Sequence, residues 1–184
     1  MIQRYLLEKF ISNEEDRALF NKVVFKNWEC QDMDVDSEVY CKDCISKLPE
    51  RLHEAAVQII LHWDLYFEPF EDMKDLIIRL KETGHNLYLL SNMTSAFCKD
   101  HSRLDTLKYF DDLVFSYEIK MIKPHADIFE FCVKKHNLNK EDCIFIDDLK
   151  TNCDASEKVG IKSYLFDKTK RDEFISYVKN IENI

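Results

Sequence analysis

Apolar residues in the first third of the chain recur every three to four positions, the period of an amphipathic helix. Tyr5, Leu6 and Phe10 begin the pattern, and Leu19, Phe20, Val23 and Val24 continue it to about residue 28. Asn13, followed by Glu14, Glu15 and Asp16, has the form of a helix N-cap with an acidic first turn. Residues 29–36 are polar and are predicted to be a loop. Helical spacing resumes from Ser37 to about Phe67 with a break near Pro49, carried by Val39, Ile45, Leu48, Leu52, Ala55, Ala56, Ile59, Ile60 and Trp63. Residues 1–68 are therefore predicted to be an all-helical block.

Beyond Pro69 the period changes. A helix through Met73, Leu76, Ile77 and Leu80 is closed by Gly84, and the run Leu87 to Leu90 reads as a buried strand. A helix is predicted over 95–109, a strand over 113–115, a helix over 124–136 and a strand over 143–146. A helix over 150–159 closed by Gly160, a strand over 161–166 and a helix over 170–180 complete the chain. Strands alternating with helices predict an α/β fold, a Rossmann-like doubly wound parallel sheet over residues 69–184.

Composition narrows the function. A net charge of -9, with basic and acidic residues interleaved, offers no basic surface for nucleic acid or an anionic membrane. No apolar run reaches membrane-spanning length, and seven cysteines scattered through apolar segments suit a reducing cytoplasm. With Gly84 and Gly160 the only glycines, no glycine-rich phosphate loop exists, so a phosphate needs a metal, a lysine or strand-end amides.

Such groups occur at the ends of successive strands. Ser91 and Asn92 follow the first strand, Lys123 and Pro124 the second, and Asp147 and Asp148 the third, with Asn152 one helical turn later. Adjacent carboxylates repel unless a cation or donors offset the cost. The C-terminal edge of a parallel sheet is also where such folds bind ligands. A hydroxyl, an ammonium and a carboxylate pair on that edge suit a phosphate with Mg2+.

The segments Leu-Tyr-Leu-Leu-Ser91-Asn92, Lys123-Pro124-His-Ala-Asp-Ile-Phe and Phe-Ile-Asp147-Asp148-Leu-Lys-Thr-Asn152 resemble three motifs of the haloacid dehalogenase-like (HAD) superfamily. The match is closest to small phosphatases with a helical cap inserted after the first strand, and residues 1–67 are similar to that cap. The resemblance implies a Mg2+-dependent phosphatase of a small phosphorylated metabolite that forms and hydrolyses an aspartyl-phosphate. It makes Asp148 the metal ligand and Asp147 the residue that orients the metal shell. Ser91, Asn92 and Lys123 would bind phosphate, Lys123 would also neutralise the nucleophile, and Asn152 would support the metal end. A dehalogenase fits less well, because the acidic pair favours a metal site.

The family's first motif, a central strand ending in Asp-x-Asp that carries the nucleophile, has no counterpart here. Asp32-Met33-Asp34 has the spelling, but it follows Trp28-Glu29-Cys30-Gln31 inside the helical block and is expected to be a solvated acidic loop. The chain is therefore expected to be inactive as given, with Mg2+ binding weak or absent, and two strands are expected to lack their shared neighbour. A truncated sequence is one reading. A non-catalytic HAD-like remnant or binding module, patched by another segment or chain, is the alternative. Cys41 and Cys44 have C-x-x-C spacing, yet with no second pair they read as helix-packing cysteines rather than a zinc site. Trp28, Trp63, Tyr66 and Phe67 could line a cap pocket, although helical spacing favours a core role.

Overall fold

The computed structural model describes residues 2–66 and 69–182; Phe67 lies outside them. Two compact units emerge, one formed by Met1–Glu68 with Met93–His101, the other by Pro69–Asn92 with Ser102–Ile184.

The first unit is helical. It contains α1 (Ile2–Phe10), α2 (Glu14–Phe20) running into a π-helical turn, α3 (Glu29–Met33), α4 (Ser37–Lys47) and α5 (His53–Leu61). The Asn13 side chain accepts from the Asp16 amide at 2.8 Å, as the N-cap signature predicts. Leu6, Phe20, Val24, Ile59 and Ile60 fill its core. The chain then supplies α6 (Glu71–Glu82) and β1 (Tyr88–Ser91) to the second unit before α7 (Ser95–Lys99) returns to the first. There α4 and α7 cap each other. Ser95 Oγ accepts from the Ser37 amide at 2.7 Å, and Ser37 Oγ accepts from the Ala96 amide at 3.2 Å.

Two expectations fail in this unit. Residues 29–33 form α3 rather than a loop, and Asp32 is buried, not solvated. Trp28, one turn earlier, favours the charged form of this carboxyl, but its influence is outweighed by burial. Nor is 95–109 a continuous helix. It stops at Lys99, Asp100 takes an extended backbone, and only a 3-10 turn forms over Asp105–Tyr109. Asp100 and Ser102 lie at that break, and such residues compete with helix by bonding local backbone.

The second unit continues with β2 (Asp112–Phe115), α8 (Ser116–Ile119), α9 (Ala126–Lys135), β3 (Ile144–Asp147), α10 (Lys150–Lys158), β4 (Lys162–Leu165) and α11 (Arg171–Glu182). Gly84 and Gly160, just past α6 and α10, both have φ +90°, the left-handed region in which glycine closes a helix. On one face Ile128 and Phe129 of α9 and Ala155 of α10 form a core with Leu90 and Phe145 packed against it. A second core joins Leu76 of α6 and Phe174 and Val178 of α11, with Tyr164 and Phe166 packed against it. Helices thus pack against β1, β3 and β4, in keeping with the α/β pattern.

The strands form two separate parallel pairs, β1 with β2 and β3 with β4, rather than one continuous sheet. Each pair has Cα register Tyr88 to Asp112 and Ile144 to Lys162 at its start. Among the described residues no strand lies between β1 and β3. Ile146, in the middle of an otherwise apolar strand, is 44% exposed. Among the described residues no helix is long and apolar enough to cross a membrane.

Candidate active site

The candidate residues all belong to the second unit, at the C-terminal ends of its strands. Lys123 arrives there from α8, whose C-cap Lys120 has φ 58°, and Ile122 is buried within the segment. Asn92, one residue past β1, clamps the Lys123 backbone from both sides. Its Oδ1 accepts from Lys123 N at 2.8 Å, and its Nδ2 donates to Lys123 O at 3.0 Å. A side-chain amide suits this position because it offers one donor and one acceptor in a single plane.

The clamp sets the direction of the lysine side chain. Lys123 Nζ donates to the Leu90 carbonyl at 2.9 Å and to Asp147 Oδ2 at 2.6 Å. It also lies 5.4 Å from the Phe145 ring centroid. The Lys123 and Asp147 side chains are 9% and 7% exposed, so their charges meet largely out of water, where attraction is strong. The other oxygen of Asp147 is equally occupied. Oδ1 accepts from Leu149 N and from Asn152 Nδ2, each at 2.9 Å. Asn152 is buried on the first turns of α10, which turns its amide back onto the end of β3.

Asp148 differs from its neighbour. It is exposed and, among the described residues, its side chain has neither a hydrogen bond nor an ion pair. The half-buried Ser91 hydroxyl, likewise among the described residues, has no side-chain partner. The structure thus joins Asn92, Lys123, Asp147 and Asn152 in one bonded network, and leaves Ser91 and Asp148 outside it. Two members could not be read from side-chain pattern, because the Leu90 carbonyl and the Leu149 amide are backbone groups.

A hard divalent cation takes oxygen ligands and tolerates one or two carboxylates completed by water and phosphate. Asp148 fits that requirement with a free carboxylate, whereas Asp147 has both oxygens engaged by donors. Among the described residues no cluster of three or more acidic, histidine or cysteine side chains could hold a metal. Within the set, Asp148 is thus the residue whose carboxylate could join the shell of a hydrated Mg2+. The Asp32-x-Asp34 pair lies on and just after α3, within the helical unit.

An acid–amide–lysine network thus lies at the ends of parallel strands in an α/β unit. A family description, haloacid dehalogenase-like hydrolase, matches residues 7–166, and the chain belongs to that family. A phosphoglycolate phosphatase from Aliivibrio fischeri is 23% identical over 156 residues, covering 84% of this chain and 64% of that protein. A D-ribitol-5-phosphate phosphatase from Bacteroides thetaiotaomicron is 27% identical over 99 residues, covering 49% of this chain and 47% of that protein. The chain thus spans about half to two thirds of the length of these relatives. A crystal structure of a HAD family enzyme from Bacteroides thetaiotaomicron, in complex with magnesium and inorganic phosphate, shares the fold. Its TM-score is 0.63 at 22% identity, covering 89% of this chain and 83% of that one.

Proposed function

We propose that the protein is a Mg2+-dependent phosphatase of the HAD type for a small phosphorylated metabolite, and that these 184 residues do not turn substrate over unaided. The observation that carries the reading is Lys123 held by Asn92 and aimed at Asp147 on the ligand-binding edge of the strands. Ser91 and Asn92 would hold phosphate oxygens with Lys123, whose ammonium neutralises their charge. Asp148 would hold Mg2+, with Asp147 and Asn152 fixing the geometry beside it. Mg2+, when bound, supplies further neutralisation of phosphoryl charge. The phosphatase relatives support a sugar-phosphate-like substrate.

The aspartyl-phosphate route of the family needs a free carboxylate facing Lys123. Asp147 is the only acid bonded to that lysine among the described residues, and donors occupy both of its oxygens. Mg2+ binding is accordingly weak, since one carboxylate is free for it. The same engagement favours, as the second reading, a non-catalytic module that binds a phosphorylated ligand. A net charge of -9 supports a role without nucleic acid or membrane, and seven free thiols support a cytoplasmic location.

The test combines turnover with binding. With Mg2+ present, p-nitrophenyl phosphate and small sugar phosphates are expected to remain unhydrolysed, while inorganic phosphate raises the melting temperature. Ser91→Ala, which breaks no side-chain bond, is expected to remove that rise. Robust turnover abolished by Asp148→Ala would refute the missing nucleophile. A phosphate response unchanged by Ser91→Ala would refute the site.

A further inference from the structure

We infer that Tyr117 and Lys120 are positioning residues for Lys123: the contact between their side chains holds a left-handed turn that aims the Lys123 ammonium at the site. The inference starts from the backbone. Among the described residues only Lys120 (φ 58°) and Asn137 (φ 51°) are non-glycine residues with a positive φ. Asparagine just past a helix, as at Asn137, is an ordinary occupant of that region. Lysine is not, because its Cβ crowds the following carbonyl oxygen. Residues held in such conformations collect at functional sites, where the surrounding contacts enforce them.

Those contacts lie on both sides of Lys120. Its amide donates to the Ser116 carbonyl at 2.8 Å, which closes α8, and Ser116 is fully buried. Ile119 before it and Met121 after it both pack on the α9–α10 core. Ile122 is buried, and Asn92 bonds both backbone groups of Lys123. The turn at Lys120 therefore sets where this anchored segment begins, and Met121 and Ile122 carry its direction to Lys123. What holds Lys120 in place is its own side chain. Its Nζ lies 3.8 Å from the Tyr117 ring centroid, the shortest cation–ring separation among the described residues; the next, Arg171 on Phe70, is 4.4 Å. Among the described residues Lys120 has no ion pair, so the half-buried ring is the partner of its charge. The attraction of an ammonium to the ring face opposes the strain of the turn. Neither side chain is bonded to Asn92, Asp147 or Asn152 among the described residues, so both act through the intervening backbone.

The experiment has two readouts on the full chain. Proton–nitrogen NMR reads the Lys123 ammonium, assigned by its loss in Lys123→Arg, and the melting-temperature rise with inorganic phosphate reads binding. The phosphate readout rests on the proposed phosphatase reading; the ammonium signal does not. Lys120→Ala keeps the strained backbone and loses the cation, and Tyr117→Leu loses the ring. Each is expected to shift or broaden the Lys123 signal. Each is also expected to weaken apparent phosphate affinity by about two- to fivefold, the range an exposed cation–π contact supplies. Lys120→Arg and Tyr117→Phe keep the contact and are expected to match the parent. Lys120→Gly is decisive, because glycine takes a left-handed turn without strain, and it is expected to give the parent signal without any cation. Melting without phosphate is expected to stay close to the parent's in every variant, which separates positioning from stability. A parent-like signal in Lys120→Ala, an alanine-like signal in Lys120→Gly, or a signal lost only together with the fold would overturn the proposal. If the parent shows no phosphate response while the Lys123 signals follow the expected pattern, the phosphatase reading fails and the positioning role stands.

Discussion

Lys123 Nζ and Asp147 Oδ2 are 2.6 Å apart, and the two side chains are each less than a tenth exposed. This pair ties the segment after α8 to the end of β3, and the Leu90 carbonyl extends the tie to β1. Removing one member leaves a buried charge uncompensated, which costs about 3–5 kcal/mol, whereas removing both costs less. Lys123→Met is therefore expected to lower unfolding free energy by about that amount, and Lys123→Met with Asp147→Asn by clearly less. Urea denaturation of the three proteins checks this, and an additive double variant would contradict it.

Asp148 has the opposite expectation. Its side chain is exposed and, among the described residues, unbonded, so Asp148→Asn should change stability by no more than about 0.5 kcal/mol. On the proposed weak Mg2+ binding, the folded chain gains only about 0.4 kcal/mol when the ion is near its dissociation constant. A magnesium titration followed by thermal melting should show a small rise in the parent chain and none in the variant.

Asp32 sets a pH dependence of its own. Burial, reinforced by Glu29, pushes its carboxyl up to about 7, and the Trp28 indole pulls weakly the other way. The folded chain therefore holds this proton between about pH 4 and 7 while the unfolded chain has released it. Folding binds the extra proton, so this group's contribution falls as pH rises through that window. Asp32→Asn removes the effect. Its stability relative to the parent is expected to rise by up to about 1 kcal/mol per pH unit from pH 4 to 7. Denaturation midpoints at closely spaced pH values provide the measurement, and a constant difference would contradict the expectation.

Ser37 and Ser95 are each 1% exposed and cap one another's helices. Ser95→Ala strands the buried Ser37 amide, and a loss of about 1–2 kcal/mol is expected. Ser37→Ala strands the Ala96 amide at a similar cost. Because the hydroxyls also bond each other at 3.1 Å, the double variant should lose less than the two single losses combined. Guanidinium denaturation of the single and double variants tests the coupling.

Much of this was legible in the sequence because hydrophobic period carries the information. Four strands, the Asn13 cap and the helix-closing glycines all have local signatures, and each occurs where the pattern put it. The acid, amide and lysine positions were legible because the ends of parallel strands are chemically privileged. What could not be read depends on contacts remote in sequence or on backbone. The burial of Asp32 depends on packing within the helical unit that a local acidic spelling does not register, so the spelling suggested solvent instead. The helix stops at Lys99, where Asp100 turns to extended backbone, a change that helical spacing does not register. Single-residue alternation along β3 separates buried Asp147 from exposed Asp148, but the full engagement of Asp147 needs Leu149 and Asn152 in place.

The paired serines also bear on the order in which the chain can fold. Ser37 and Ser95 are separated by 58 residues, and β1 is synthesised between them. Lys99, whose Nζ lies 2.8 Å from Asp36 Oδ2, is later still. During translation the helices up to residue 61 emerge before their last capping partners exist. A fragment stopped before α7 should accordingly be a looser, more protease-sensitive helical ensemble. Emergence of residues 95–99 is then the event that closes the helical unit, late and over a long loop.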